Sequence, residues 1–492
     1  MVNKLELIAI VQKHLDRIVT HMEPSREFVN MHMVAWICEN LYVKHVPENI
    51  RSEINTIEDV RSAMDLFFQK DNPSIDLIKK HQNLHNKIQL EKTFYLENLT
   101  DKLYLTHDEM IDEFKALKVP TDLGLNVHVK EFMKDKKSHE VSVASKIVGI
   151  LSRTRDKKPL ILDFGDGKGY LSTRVSLEFN LKTLGIDASD QNAREAELRN
   201  AKLTKLWPHL VKKEASRMNI ETPELNSPDE VQDDKKYKTI ASYIYGDTDL
   251  NTLIDQAYPD EKMDEICLIG LHTCGNLSAN SLKHFVSNDR IKMIMNVPCC
   301  YNLLFEEFEI DYFNDQERVI DHPDDYGFPL SNYLKERKYR IGRNARMLGT
   351  QSFERILNGI SNPDESLFYR SIFEKLLRER FRKGLKPHVF RLGKIKRVKS
   401  LEEYIKKACQ RLNITYDLTE EEIRQLEEDH KFDKEAITFH YFIRLLSAKT
   451  IETIIHLDRY LYLLENDVEH VYLVKLFDSV ISPRNFAILG IK

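Results

Sequence analysis

An α/β fold around a largely parallel sheet is predicted by three features of this 492-residue chain. The first is residues 161–169, Ile-Leu-Asp-Phe-Gly-Asp-Gly-Lys-Gly, an apolar strand end running into a glycine-rich turn. The second is another apolar run, Leu181 to Ile186, ending in Asp187, 24 positions after Asp163. The third is a set of later strand signals, Tyr237–Tyr245, Glu265–Leu271 and Ile291–Val297, the last two followed by polar and thiol residues. Buried parallel strands read as near-continuous apolar runs, and ligands of open α/β sheets sit beyond the strands' C-terminal ends.

The first unit is the most informative. Pro159–Leu162 suits a buried strand, and Tyr170–Phe179 suits the helix after it. Glycines at 165, 167 and 169 permit a tight turn and a close approach of backbone to ligand. A carboxylate at the end of the second strand, here Asp187, is where a ribose hydroxyl pair is held. The dinucleotide fingerprint G-x-G-x-x-G fails, because counting from Gly165 puts Tyr170 at the third glycine. What fits is apolar-Asp-x-Gly-x-Gly-x-Gly, with Asp163 two residues before Gly165. A carboxylate there repels a pyrophosphate but attracts the cationic amino-acid end of S-adenosylmethionine. The expected cofactor is therefore S-adenosylmethionine rather than a nicotinamide, held by Asp163, Gly165, Gly167, Gly169 and Asp187. Asp247, past the Tyr237–Tyr245 strand, is a weaker candidate for the base amino group, with a plain loop carboxylate as the other reading.

Composition sets broad bounds. Apolar content of 42% and charged content of 31% describe an ordinary globular chain with room for more than one domain. A net charge of −5 gives no global nucleic-acid footprint. Six cysteines, two of them adjacent, do not resemble a disulfide framework, so reduced thiols and a cytoplasmic or nuclear location are expected. No apolar run approaches the roughly 18 residues that span a bilayer. Oligomeric state is not legible.

Residues 1–120 carry helical apolar periodicity, as in Arg26–Tyr42 and Ser74–Leu103, and read as a helical N-terminal domain. Residues 121–350 hold the first part of the sheet, with a helical lead-in over Val127–Leu151 and a loop insertion near Glu221–Lys236. Residues 351–434 read as a helical, partly basic insertion. Residues 435–492 close the core: His440–Glu465 as one or two helices, then two strands within Tyr472–Ile491 around Ser482-Pro483-Arg484-Asn485.

Candidate chemistry lies just past the later strands. His272 can act as a general base, the role imidazole most often fills, and Tyr301 can stack on a planar acceptor. The other reading makes His272 and Cys274 strand caps, with Cys299 and Cys300 as small core residues. His272, Cys274, Cys299 and Cys300 have the ligand types for zinc, but adjacent cysteines point different ways and neither C-x-x-C nor H-x-x-x-H spacing occurs, so no metal is expected. Between Arg378 and Lys399 stand ten Lys or Arg residues, with Phe381 and Phe390 among them. Such a stretch suits an RNA backbone with stacked bases, or else a solvated face that neutralises the acidic run Glu420–Asp429.

Taken together, the motifs resemble the methyltransferase-like protein 25 family, including members named ribosomal RNA adenine dimethylase domain-containing protein. The resemblance rests on Asp163–Gly169, Gly270-Leu-His-Thr-Cys-Gly-Asn-Leu277, Pro298-Cys-Cys-Tyr301, Gly327-Phe-Pro-Leu-Ser331, Ala345-Arg-Met-Leu348 and Ser482-Pro-Arg-Asn485. It implies a class I S-adenosylmethionine-dependent methyltransferase with a Rossmann-like sheet and a closing C-terminal β-hairpin. Carried over, Asp163, Gly165 and Gly167 line the methionine end of the donor and Asp187 the ribose. The His-x-Cys-Gly and Cys-Cys segments are also similar to those of tRNA 2′-O-methyltransferases acting on the acceptor stem, which suggests an RNA acceptor. The amino-methylating adenine enzymes carry Asn-Pro-Pro-Tyr at this strand end, whereas this chain reads Asn296-Val297-Pro298-Cys299-Cys300-Tyr301. The expected activity is methyl transfer to RNA. A protein acceptor, or a silent methyltransferase-shaped binding module, is the alternative.

Overall fold

Among the described residues, eight strands form one sheet: β1 (Leu105–Thr106), β2 (Leu160–Phe164), β3 (Thr183–Asp187), β4 (Tyr237–Ala241), β5 (Ile266–Cys274), β6 (Ile291–Cys299), β7 (His470–Lys475) and β8 (Phe486–Ile491). Their spatial order is β1-β7-β8-β6-β5-β2-β3-β4. All neighbouring pairs are parallel except β6–β8 and β7–β8, so β8 alone runs against the rest. The computed structural model describes residues 3–68, 73–127, 129, 133–221, 236–308, 325–358, 365–381, 392, 393, 395 and 397–492.

The strands are apolar on both faces because both are covered by helices. Along β2, Leu160, Leu162 and Phe164 enter one apolar cluster, shared with the helices Asn276–Ser287 and Lys431–Glu465. Ile161 points the other way, into a second cluster with Val141, Ile147 and Leu151 of the helix Asp135–Leu151 and with Leu171 and Val175 of the helix Tyr170–Phe179. Side chains alternate across a strand, so this two-sided burial follows from the uninterrupted apolar sequence.

The closing hairpin is present, with β7 and β8 pairing from His470↔Ile491 to Lys475↔Phe486. The helix before it is a single 35-residue element, Lys431–Glu465. It packs against Lys4–Met22, Ile57–Phe68 and Gln82–Lys92, so the N-terminal helices share one apolar cluster with the core instead of forming their own.

Several helices are shorter than their periodicity predicts. Arg26–Tyr42 breaks into Arg26–Asn30 and a 3₁₀ turn at Met33–Ala35, with Asn40 left-handed before Leu41–His45. Ser74–Leu103 is interrupted at His81, whose backbone leaves the helical region (φ −126°, ψ 50°). The lead-in starts only at Asp135, and the strand predicted over Tyr237–Tyr245 stops at Ala241. Residues 222–235 of the expected loop insertion lie outside the described residues.

Candidate functional site

The glycine turn leaves β2 and is fastened to the end of β3. Gly165 N donates to the Ile186 carbonyl at 2.8 Å, and Gly167 N donates to Asp187 Oδ2 at 3.0 Å. Asp187 Oδ1 accepts from Ser189 N and Asn192 Nδ2. Asp163, Gly165, Gly167, Gly169 and Asp187 are thus gathered at the C-terminal edge of the sheet.

Two of the glycines have different reasons to be there. Gly169 is left-handed (φ 67°) and opens the helix Tyr170–Phe179; a Cβ there would stand 2.8 Å from the Tyr237 hydroxyl and 3.0 Å from the Ala196 Cβ. Gly167 is left-handed too (φ 60°), yet a Cβ on it would meet nothing nearer than the Gly165 carbonyl oxygen at 3.9 Å. The outer side of the turn is therefore open, as a cradle for a ligand must be.

Beneath the turn lies a buried carboxyl pair. The Ser172 hydroxyl stands 2.7 Å from Asp163 Oδ2 and 2.6 Å from Asp166 Oδ1, while the Tyr237 hydroxyl donates to Asp166 Oδ2 at 2.5 Å. Burial, and then the neighbouring Asp166 charge, push the Asp163 carboxyl well above its usual range. Burial raises the Asp166 carboxyl too, and the Ser172 and then the Tyr237 hydroxyls work against that rise. Asp163 Oδ1 is buried with no hydrogen-bond partner among the described residues. An orphaned acceptor of this kind costs free energy unless a donor arrives, and the ammonium of an amino-acid group is such a donor. The residues present therefore fit S-adenosylmethionine.

On the acceptor side, β5 carries a register break between Leu271 and Thr273. His272 is the residue thrown out of the ladder, with a left-handed backbone (φ 72°), and bulges re-aim side chains in this way. Its Nε2 lies 3.0 Å from Oε2 of Glu140, which is buried on the helix Asp135–Leu151. The Ser482 hydroxyl donates to Glu140 Oε1 at 2.6 Å, and Lys136 and Lys137 lie 3.6 and 3.4 Å from its oxygens. Burial alone would raise the Glu140 carboxyl, but the His272 ring and then Ser482 hold it down at about 2. A carboxylate lowered by folding contributes stability that is complete above its unfolded value of 4.5 and is lost as pH falls from there toward about 2. We expect acid unfolding to draw roughly 3 kcal/mol from this group. In Glu140→Gln, equilibrium urea titrations should lose much of their slope between pH 4.5 and 3; an unaltered slope would dismiss the assignment.

Past His272, Thr273 pairs with Pro298 and Cys274 with Cys299 across β5 and β6. The Cys274 and Cys299 sulfurs are 3.0 Å apart. Cys300 follows in a left-handed conformation (φ 51°), which turns its sulfur to 3.3 Å from Cys274 and 3.6 Å from Cys299. The expectation that adjacent cysteines diverge is corrected by this turn. The Cys274 and Cys299 thiols point at the Cys300 sulfur and hold it down at about 3, with the His272 and Arg484 charges adding to the effect.

Two sequence candidates lie elsewhere. Tyr301 is fully buried, its hydroxyl donating to Glu452 at 2.9 Å, so its ring is packed into the core and offers no face to an acceptor. Asp247 is absent from the site because the chain after β4 descends along the helix Asn276–Ser287. The Ile244 carbonyl accepts from Asn280, and the Tyr245 carbonyl lies 2.7 Å from His284 Nε2. Asp247 then lines a shallow cleft of about 440 Å³ with Asn288 and Arg290, at the end of that helix that leads into β6. Beside Asp187 stands the true end of β4, where Ser242 N donates to the Asp187 carbonyl and Tyr243 is exposed. Glu140, Asp166 and Tyr243 were missed in the sequence. Only the acid within the apolar lead-in and the run of tyrosines after Ala241 hinted at any of them.

The strand order with one reversed strand, the open glycine turn and the acidic strand ends define a class I S-adenosylmethionine-dependent methyltransferase. Residues 136–307 match a methyltransferase domain family model. The chain is 30% identical over 475 residues to the probable methyltransferase-like protein 25 of Homo sapiens, a match covering 75% of this chain and 76% of that protein. Against the Mus musculus protein of the same name it is 29% identical over 470 residues, with the same shares covered. The chain belongs to the methyltransferase-like protein 25 family. Likeness to solved structures is slight. The plantazolicin methyltransferase BpumL in complex with SAH aligns at 16% identity and a TM-score of 0.17, covering 45% of this chain and 61% of that one. Coclaurine N-methyltransferase bound to N-methylheliamine and SAH aligns at 13% identity and a TM-score of 0.22, covering 93% and 98%.

Proposed function

We propose that the acceptor is a hydroxyl group of RNA. The observation that carries this reading is His272, thrown out of β5 by the bulge and backed by the buried Glu140 carboxylate. A hydroxyl is a poor nucleophile until its proton is removed, so a positioned base at the acceptor side suits it. An exocyclic amine would instead need a free amide carbonyl at the end of β6. Here the side-chain Oδ1 of Asn296 is buried and already accepts from the Ser278 hydroxyl at 2.6 Å and from the Thr273 hydroxyl at 3.3 Å. S-adenosylmethionine supplies the electrophilic methyl group when bound. Asp163 and the open backbone at Gly165–Gly167 would hold its amino-acid end, Asp187 its ribose, and Ser242 and Tyr243 its base. His272 would take the hydroxyl proton, and Glu140 would stabilise the imidazolium that results.

The test is transfer of radiolabelled methyl to fractionated RNA and protein, followed by nuclease digestion. Label in 2′-O-methylated nucleosides supports the proposal. Label in methylated bases or in protein overturns it.

The basic stretch is the proposed RNA contact, although 382–391, 394 and 396 lie outside the described residues. Arg378 is paired with Glu374 and Glu39, and Arg380 with Asp417 and Glu422, so the proposal excludes both. Charge reversal across Arg391–Arg397 should weaken RNA binding and flatten its salt dependence, as read by filter binding at several ionic strengths. Unchanged binding removes the stretch from the argument.

A donor prediction concerns Asp163. Its carboxyl, raised in the folded chain, destabilises the fold increasingly as pH climbs from 3.8 through the raised value. Asp163→Asn should therefore stabilise the chain at neutral pH, by about 1 kcal/mol, while donor affinity falls at least ~100-fold. In the unaltered chain, donor binding should strengthen with pH and release a proton, visible by calorimetry in buffers of different ionisation enthalpy. Retained affinity in the variant would sink the assignment.

A further inference from the structure

We propose that Cys274, Cys299 and Cys300 together hold one zinc ion, with its fourth position open at the C-terminal edge of the sheet. Among the described residues these three form the only group of at least three His, Cys, Asp or Glu side chains whose ligand atoms converge, all within 4.8 Å of one another. Zinc bonded to sulfur at about 2.3 Å in a tetrahedron spaces the sulfurs about 3.8 Å apart. The observed 3.0, 3.3 and 3.6 Å need small side-chain rotations to open that far, and no strand has to move.

Packing alone gives no reason for this convergence. A cysteine acting as a small apolar residue is buried and isolated, yet Cys274 is exposed and Cys300 half-buried. The cluster also depends on Cys300 adopting a left-handed backbone next to another left-handed residue, His272. Each non-glycine residue held so costs about 1 kcal/mol or more and persists where the geometry has a use.

The surroundings carry matching charge. Three thiolates around a dication leave one net negative charge. Arg459 is 1% exposed, and none of its guanidinium nitrogens has a hydrogen-bond partner among the described residues. Its charge interacts with Tyr301, Asp458 and Cys299, and that of Arg484 also interacts with Cys299. An unpartnered buried guanidinium is costly, and an anionic metal–thiolate centre nearby offsets it. Soft thiolates select zinc over magnesium or calcium, and three protein ligands with an open position is the form taken by reactive rather than structural zinc. The inference does not depend on the acceptor being RNA.

The experiment is metal analysis of the full chain purified without chelator. The expected result is one zinc per chain, falling to less than a fifth of that in Cys274→Ser and in Cys300→Ser, with Cys38→Ser unchanged. Cobalt exchanged into the unaltered chain should show a sulfur-to-cobalt charge-transfer band that both variants lose. Donor affinity, measured in parallel, reports whether each variant folds and whether the methyltransferase site stands, independently of metal. A metal-free chain with three reactive thiols overturns the proposal. So does a disulfide among the three, another metal in place of zinc, or zinc retained by both variants.

Discussion

Replacing His272 with alanine is expected to slow methyl transfer by about 10²- to 10⁴-fold, the usual contribution of a positioned general base. Donor affinity should stay within a factor of two or so, because His272 is thrown out of β5 toward Glu140 and is no part of the glycine turn. Glu140→Gln should cost less, since the ring survives and loses only the charge that stabilises its protonated form. The pH–rate profile separates these roles. The unaltered chain should lose activity as the base is protonated at low pH, and the alanine variant should lose that limb altogether. An alanine variant that turns over at the original rate would end the general-base reading while leaving the donor site untouched.

The second large effect is structural. Arg484→Met should destabilise the chain by about 3–5 kcal/mol, as breaking one side of a buried ion pair does. Arg484 Nη1 lies 2.5 Å from Glu452 Oε1, and the guanidinium also donates to the carbonyls of Gly349, Thr350 and Gln351. Glu452 further accepts from Tyr301 and lies 3.8 Å from His456. Burial works to raise the Glu452 carboxyl, but Arg484 above all keeps it at about 2. Without the arginine a carboxylate is stranded in the core. The double variant Glu452→Leu/Arg484→Met should recover part of the loss, because an apolar pair of similar volume is tolerated where a lone charge is not. Urea denaturation of the three variants checks this, and a loss below 1 kcal/mol in the single variant would refute it.

Much of the donor half was legible. The apolar run, the glycines and the acid 24 residues later are local signals, and local signals survive without knowledge of tertiary contacts. Tyr301 failed because its neighbours in space, Glu452 and Arg484, are 151 and 183 positions away, and nothing near it in sequence says that its hydroxyl is already engaged. Asp247 failed because the strand ended four residues early and the chain turned along a helix, which no periodicity marks. The thiol cluster was discounted on spacing, a rule for ligands on one hairpin. Ligands from two parallel strands and a left-handed turn obey a register instead. The Ser482–Asn485 motif likewise proves to be a brace: Ser482 holds Glu140, and Arg484 ties the closing hairpin to the Arg343–Gly349 helix.

The strand order has a consequence for how the chain is made. β8 lies between β6 and β7 and pairs with both, yet its residues, 486–491, are synthesised after every other strand. While the ribosome still holds those residues, β6 has a bare edge and β7 has no route into the sheet. The apolar side chains of Met293, Met295 and Val297 then have no lid from Leu489 and Ile491. Emergence of β8, rather than emergence of the donor turn, is the event that lets this sheet close. A nascent chain in which β8 has not yet emerged would carry an intact glycine turn on an open, sticky edge.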